Sequence, residues 1–139
     1  MELAKSIYEC AQKYTNYTAN NLSKLIQNKS LSTEEKNVAN ELQRMMEEAG
    51  FDEVKIDGLG NVIGRIGKGK KIIALDGHID TVDLGNRENW SFDPLAGEVR
   101  DGFVHGRGSV DQKGGPAAFV TAGKILKEIR LKNEVTNYF

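Results

Sequence analysis

The stretch KKIIALDGHIDTVD, residues 70–83, decides how the rest of the chain is read. Its first half holds an unbroken apolar run, Ile72 to Leu75, with none of the alternation expected of a strand with one wet face. The run predicts a buried β-strand. The second half turns polar at once and sets His78, one of 2 histidines in the chain, between Asp76 and Asp80. Loops at the carboxyl ends of such strands are where α/β folds gather ligands.

Working outward from this strand, the remaining elements have their own signals. Toward the N-terminus, Leu3, Ile7, Cys10, Tyr14 and Tyr17 recur at helical spacing, and Leu22, Leu25 and Ile26 continue the face. One long helix is predicted, with a kink near Thr15 to Thr18. In SLSTEEKNVANELQRMMEEAG, residues 30–50, Ser32 and Glu35 spell a capping box. Val38, Leu42, Met45 and Ala49 mark the buried face of the helix that follows, and Gly50 its end. DEVKID (52–57) and NVIGRI (61–66) read as short strands around the glycines of DGLGN. Downstream, EVRDGFVHG (98–106) reads as a hairpin turning on Asp101-Gly102. Gly115 and Pro116 open a helix, with proline at the first helical position, and Phe119, Ala122, Leu126 and Ile129 are its expected buried face. EVTNYF (134–139) starts another strand. Helices alternating with strands around a buried one predict an α/β sandwich.

Composition narrows the class. The chain has 139 residues, 39% hydrophobic and 28% charged, as expected of one globular domain. A net charge of −1 gives no electrostatic reason to expect nucleic acid or an anionic membrane surface. No apolar run is long enough to span a bilayer, and the mixed-charge N-terminus does not read as a signal peptide. The single cysteine, Cys10, permits no internal disulfide and fits a reducing cytoplasm.

Two loops carry the candidate chemistry. In GHID, alternation along an extended backbone points His78 and Asp80 the same way. A neutral imidazole is a good metal ligand, and such histidines usually give their other ring nitrogen to a carboxylate or carbonyl, here Asp80. A structural His–Asp pair in a turn is the alternative. The second loop, HGRGSVDQKGG (105–115), is rich in glycine and leads into a helix. Its Asp111 sits near the positive end of that helix, which favours the ionised carboxylate. Asp111 can bridge metal ions. A helix cap with tight turns, or a phosphate site at Gly114-Gly115, are the other readings.

Together the loops say more than either alone. LDGHIDTV (75–82) followed by GRGSVDQKGG (106–115) resembles the two N-terminal signature motifs of the di-zinc amidohydrolase family. That family includes acetylornithine deacetylase, succinyl-diaminopimelate desuccinylase, aminoacylase and glutamate carboxypeptidase. The connecting NWSFDPLAGEVRDGFVHGRG, the DGLGNVIGRI segment and the SLSTEE helix start are similar too, and the chain looks closest to the selenium-metabolism-linked hydrolase branch. The resemblance implies an α/β three-layer sandwich with a mixed, largely parallel sheet. It implies a two-zinc centre, with cobalt or manganese as substitutes, and a bridging water that attacks an amide carbonyl of a peptide or N-acyl amino acid. His78 would be a ligand of one zinc, Asp80 the catalytic-site group that orients its ring, and Asp111 the bridge between metals, with a cis peptide to Gln112. His105 stands where the family often has an aromatic residue and reads as a hairpin side chain. Asp76 and Asp83 fit turn or supporting positions, and Arg107 and Lys113 read as ion-pairing or loop-stabilising groups.

The resemblance is incomplete. The family's Glu-Glu pair, which supplies the general base and a ligand, has no counterpart after Asp111, and no histidine follows His105. The expectation is therefore that residues 1–139 are the N-terminal portion of a metal-dependent hydrolase catalytic domain, without the lid and dimerisation domain and inactive alone. A non-catalytic binding module and a phosphate- or nucleotide-binding α/β domain are the rival readings. EVTNYF is expected to leave an unpaired apolar strand through which the chain would self-associate.

Overall fold

A computed structural model describes residues 2–129 and 134–139. The N-terminal helical stretch divides into α1 (Glu2–Lys13) and α2 (Thr15–Gln27), broken at Tyr14 (φ −95°, ψ 10°), one residue before the expected kink. Helix α3 (Lys36–Glu48) follows and ends in a Schellman motif. Gly50, at φ +85°, donates from its amide to Glu47 O at 3.0 Å, and the Phe51 amide donates to Met46 O at 3.2 Å. At the other end of α3 the expected capping box does not form. Glu35 does reach back to accept from the Thr33 amide at 2.8 Å, but the Ser32 hydroxyl turns away to donate to Asp80 at 2.6 Å. A charged acceptor makes the stronger bond and outbids a helix amide for that hydroxyl.

Strands β1 (Glu53–Ile56), β2 (Val62–Ile66), β3 (Lys71–Ala74) and, at the C-terminus, β6 (Val135–Tyr138) form one sheet in the order β1-β2-β6-β3. Between β3 and β6 the chain makes the hairpin of β4 (Glu98–Arg100) and β5 (Phe103–His105), then α4 (Gly114–Ile129). Asp101 and Gly102, at φ +54° and +81°, supply the positive-φ pair of a type I′ turn. The architecture is α/β with a mixed sheet. Of its pairings β1–β2 and β2–β6 are antiparallel and only β3–β6 is parallel, so the described sheet is not largely parallel. The β1–β2 hairpin occupies the sheet positions that crossover connections would otherwise fill with parallel strands.

The core lies where α2, α3 and α4 meet the β1–β2 side of the sheet. Leu25, Val38, Leu42, Met45, Met46, Phe51, Ile66, Ala117 and Val120 form it. Three expectations about burial need correcting. Strand β3 is at a sheet edge and exposed, with Ile72 at 64% and Ile73 at 43% relative exposure; among the described residues only β6 flanks it. A continuous apolar run records what such a strand can bury, not what a given length of chain supplies to cover it. For the same reason a third layer over β3 is not seen among the described residues. Second, β6 is paired on both sides, by β2 and β3, so the unpaired C-terminal strand and the self-association built on it lose their basis. Third, the buried face of α4 is Pro116, Ala117, Val120, Thr121, Gly123 and Ile125, while Phe119, Ala122, Leu126 and Ile129 are half-buried. The helix starts at Gly114, which places Pro116 inside its first turn, where a missing amide still costs nothing.

Among the described residues, no helix is long and apolar enough to cross a membrane. Gly123 marks the tightest packing of α4: a Cβ there would fall within the Phe51 ring and against Ile66 Cδ1. Gly123→Ala is expected to cost about 1–3 kcal/mol of overpacking, more than the roughly 1 kcal/mol gained in helix propensity. The urea midpoint should fall with its m-value unchanged.

Candidate metal centre

One candidate loop follows β3 of the four-stranded sheet, and the other follows β5 of the separate hairpin and leads into α4. The pairing of β3 is carried one step further by Leu75, whose amide donates to Tyr138 O at 2.9 Å, and the chain then runs on without regular structure through residue 83. His78 and Asp80 point the same way: the ring Nδ1 is 3.2 Å from Asp80 Oδ1 and 3.1 Å from the Asp80 carbonyl oxygen. Asp111 arrives from the turn between Gly108 (φ +83°) and α4, where Asp111 and Gln112 depart from helical φ and ψ and their peptide bond is cis, as the resemblance implied. Its Oδ1 lies 2.9 Å from His78 Nε2. Residues 33 apart in sequence thus share one hydrogen-bonding position.

Each ring nitrogen of His78 faces an oxygen. Partial burial works against the imidazolium, but the Asp80 carbonyl and the Asp111 carboxylate outweigh it and hold the histidine above its ordinary value of 6.5. Asp80 is held below the usual carboxylate range, first by the Ser32 hydroxyl and then by the His78 ring. Positive charge is therefore favoured between Nε2 and Asp111. A divalent cation there would meet this nitrogen and oxygen, with Nδ1 still held by Asp80, so these donors fit a zinc-type ion. It is a partial set. Among the described residues, no cluster of three or more histidine, cysteine or acidic side chains could hold a metal ion.

A cleft of about 230 Å³ opens over these atoms, lined by His78, Asp80, Thr81, Arg107, Ser109 and Asp111. The Asp111 carboxylate is 88% exposed in it. A larger cavity of about 840 Å³, between α3 and the ends of β3 and β6, reaches His78 and Asp80 from the apolar side without touching Asp111. The chemistry faces the smaller one. Asp83 binds the turn amide of Gly85 at 3.1 Å and stands 3.8 Å from Lys29, and Asp76 lines the larger cavity. His105 packs against Phe92 and Phe103 in the hairpin, away from the metal-type donors. Arg107 lies over the Trp90 ring, 5.1 Å from its centre.

Lys113 is the residue whose role the sequence concealed. Its side chain is buried at 1% exposure and its ammonium donates to Leu25 O at 2.9 Å and Asn28 O at 2.7 Å. It stabilises the loop, but through the last carbonyls of α2 and not through an ion pair. Ser30 and Ser32 were likewise invisible as site residues. Ser32 carries a helix-start signature, and nothing local indicates an acceptor 48 residues on.

Residues 74–139 match the profile of Peptidase family M20/M25/M40. The uncharacterized protein YgeY of Escherichia coli (strain K12) is 45% identical over 132 residues, 95% of this chain and 33% of that protein. Succinyl-diaminopimelate desuccinylase of Cereibacter sphaeroides (strain ATCC 17025 / ATH 2.4.3) is 38% identical over 102 residues, 70% of this chain and 27% of the enzyme. In fold, the chain superimposes on human carnosine dipeptidase 1 with a TM-score of 0.79 at 18% identity, covering 100% of this chain and 34% of that one. The di-peptidase Dug1p of Saccharomyces cerevisiae gives 0.79 at 17% identity over 96% of this chain and 33% of its own. The chain is a relative of the M20/M25/M40 peptidases and has their α/β fold with a mixed sheet. It spans about a third of the length of its relative YgeY.

Burial pushes Lys113 down to about 8 from 10.5. Between those values the unfolded chain holds the proton that the folded chain has released, so stability rises with pH across that window. The slope is at most about 1.4 kcal/mol per pH unit. Urea melts from pH 8 to 10.5 should show this rise, and Lys113→Met should remove it.

Proposed function

We propose that this chain carries part of the catalytic domain of a metal-dependent amide hydrolase, the part with its two N-terminal motifs. In this reading His78 and Asp111 are metal ligands, and Asp80 orients the imidazole. The observation that carries it is the 2.9 Å approach of His78 Nε2 to Asp111 Oδ1, with Nδ1 backed by Asp80. Zinc is the proposed ion, in a pair when the remaining ligands are supplied, with cobalt or manganese able to take the same mixed nitrogen and oxygen donors. When bound, such ions acidify water and polarise a carbonyl. This chain's own groups do the preparatory work: Asp80 fixes the ring, and the exposed Asp111 carboxylate offers its second oxygen to the cleft. The substrates proposed are small peptides or N-acyl amino acids, in keeping with the desuccinylase and dipeptidase relatives. A reducing, cytoplasmic setting suits the free Cys10.

With ligands from only the two motifs, the 139-residue chain is proposed to bind a divalent ion weakly and to hydrolyse nothing by itself. The metal reading is preferred to a phosphate site because an exposed carboxylate, Asp111, faces the cleft and Lys113 at the start of α4 is buried and turned toward α2.

Titration calorimetry with Co²⁺ tests the metal reading. Binding should be lost in His78→Ala and in Asp111→Asn. In the unaltered chain it should weaken as pH falls through the raised His78 value, because proton and metal compete for Nε2. Unchanged Co²⁺ affinity in both variants would overturn the assignment.

A further inference from the structure

We propose that the segment Leu25–Ser32, the end of α2 and the loop after it, is the positioning element of the metal centre, with Ser32 and Lys113 as its positioning residues. The inference rests on the metal reading above and deepens it. The two motif loops leave different elements, and what joins them is this third stretch. Ser30 Oγ donates to Ile79 O at 2.9 Å, and the Thr81 amide donates to Ser30 O at 2.7 Å, which brackets Asp80. Ser32 Oγ donates to Asp80 Oδ2 at 2.6 Å, which leaves Oδ1 toward His78 Nδ1. From the other side, Lys113 reaches the carbonyls of Leu25 and Asn28, two residues after Asp111.

The energetics indicate placement more than stability. A buried ammonium is costly even when bonded, and an apolar side chain of similar length would fill the same volume. The acceptors of the Lys113 ammonium are the carbonyls of Leu25 and Asn28 at the end of α2, where the helix dipole favours a cation. Those acceptors are fixed by a helix, so the loop bearing Asp111 is registered against α2. The Ser32 bond lies at the surface and adds little to folding, yet it selects which Asp80 oxygen meets the ring. Losing outer partners of this kind typically lowers metal affinity about 10–100-fold.

The test uses the 139-residue chain, with Co²⁺ affinity by calorimetry and amide hydrogen exchange measured without metal. Ser32→Ala should weaken Co²⁺ binding about tenfold or more and speed exchange at Thr81, with the thermal midpoint unchanged. Ser32→Thr should restore both. Lys113→Met should weaken Co²⁺ binding and speed exchange across residues 108–113, and Lys113→Arg should recover part of each. Should Lys113→Met fail to fold, the serine variants decide the matter. Unchanged affinity and unchanged exchange in Ser32→Ala would overturn the proposal and leave the metal reading standing. Absence of Co²⁺ binding in the unaltered chain would count against the metal reading instead, and the exchange rates would then decide the positioning role alone.

Discussion

A charged nitrogen taken out of water has to be met by oxygen, and in this chain that requirement organises the site. The Lys113 ammonium is met by the Leu25 and Asn28 carbonyls at the end of α2, where the helix leaves acceptor capacity to spare. One interaction answers two needs. It also ties the turn carrying Asp111 to α2, whose own side chains Leu25 and Ile26 are wholly buried. The turn that carries an exposed carboxylate is thereby tied to a helix end whose side chains are in the core.

The same economy appears around His78. Its ring lies between Asp80 on one nitrogen and Asp111 on the other, a geometry that stabilises positive charge whatever its source. Under the metal reading proposed above, His78 and Asp111 would be the ligands and Asp80 the group behind the ring. The segment that matches the M20/M25/M40 peptidase profile, residues 74–139, contains both motif loops.

The sheet shows the other side of the chain's character. Its β1–β2 flank packs against α3, with Ile66 of β2 and Phe51 just before β1 in the core, whereas β3 exposes Ile72 and Ile73. The chain spans about a third of the length of YgeY. The strand that leads to His78 is exposed and pairs with β6, while the loop following α2 bonds residues 79–81.

Features encoded within a few residues were legible from the amino-acid sequence alone. The Schellman end at Gly50, the Asp101-Gly102 turn and the extended His78–Asp80 pair each depend on local backbone conformation and period, which neighbouring residues determine. The two motifs also named the residues that converge. Only the tertiary structure decided which partner a side chain takes when a distant one competes with a near one. Ser32 left its helix for Asp80, Lys113 went to carbonyls in α2, α4 turned a different face inward, and β3 was left at an edge. In each case the deciding energy is a contact between residues far apart in the chain, and no local pattern carries that information.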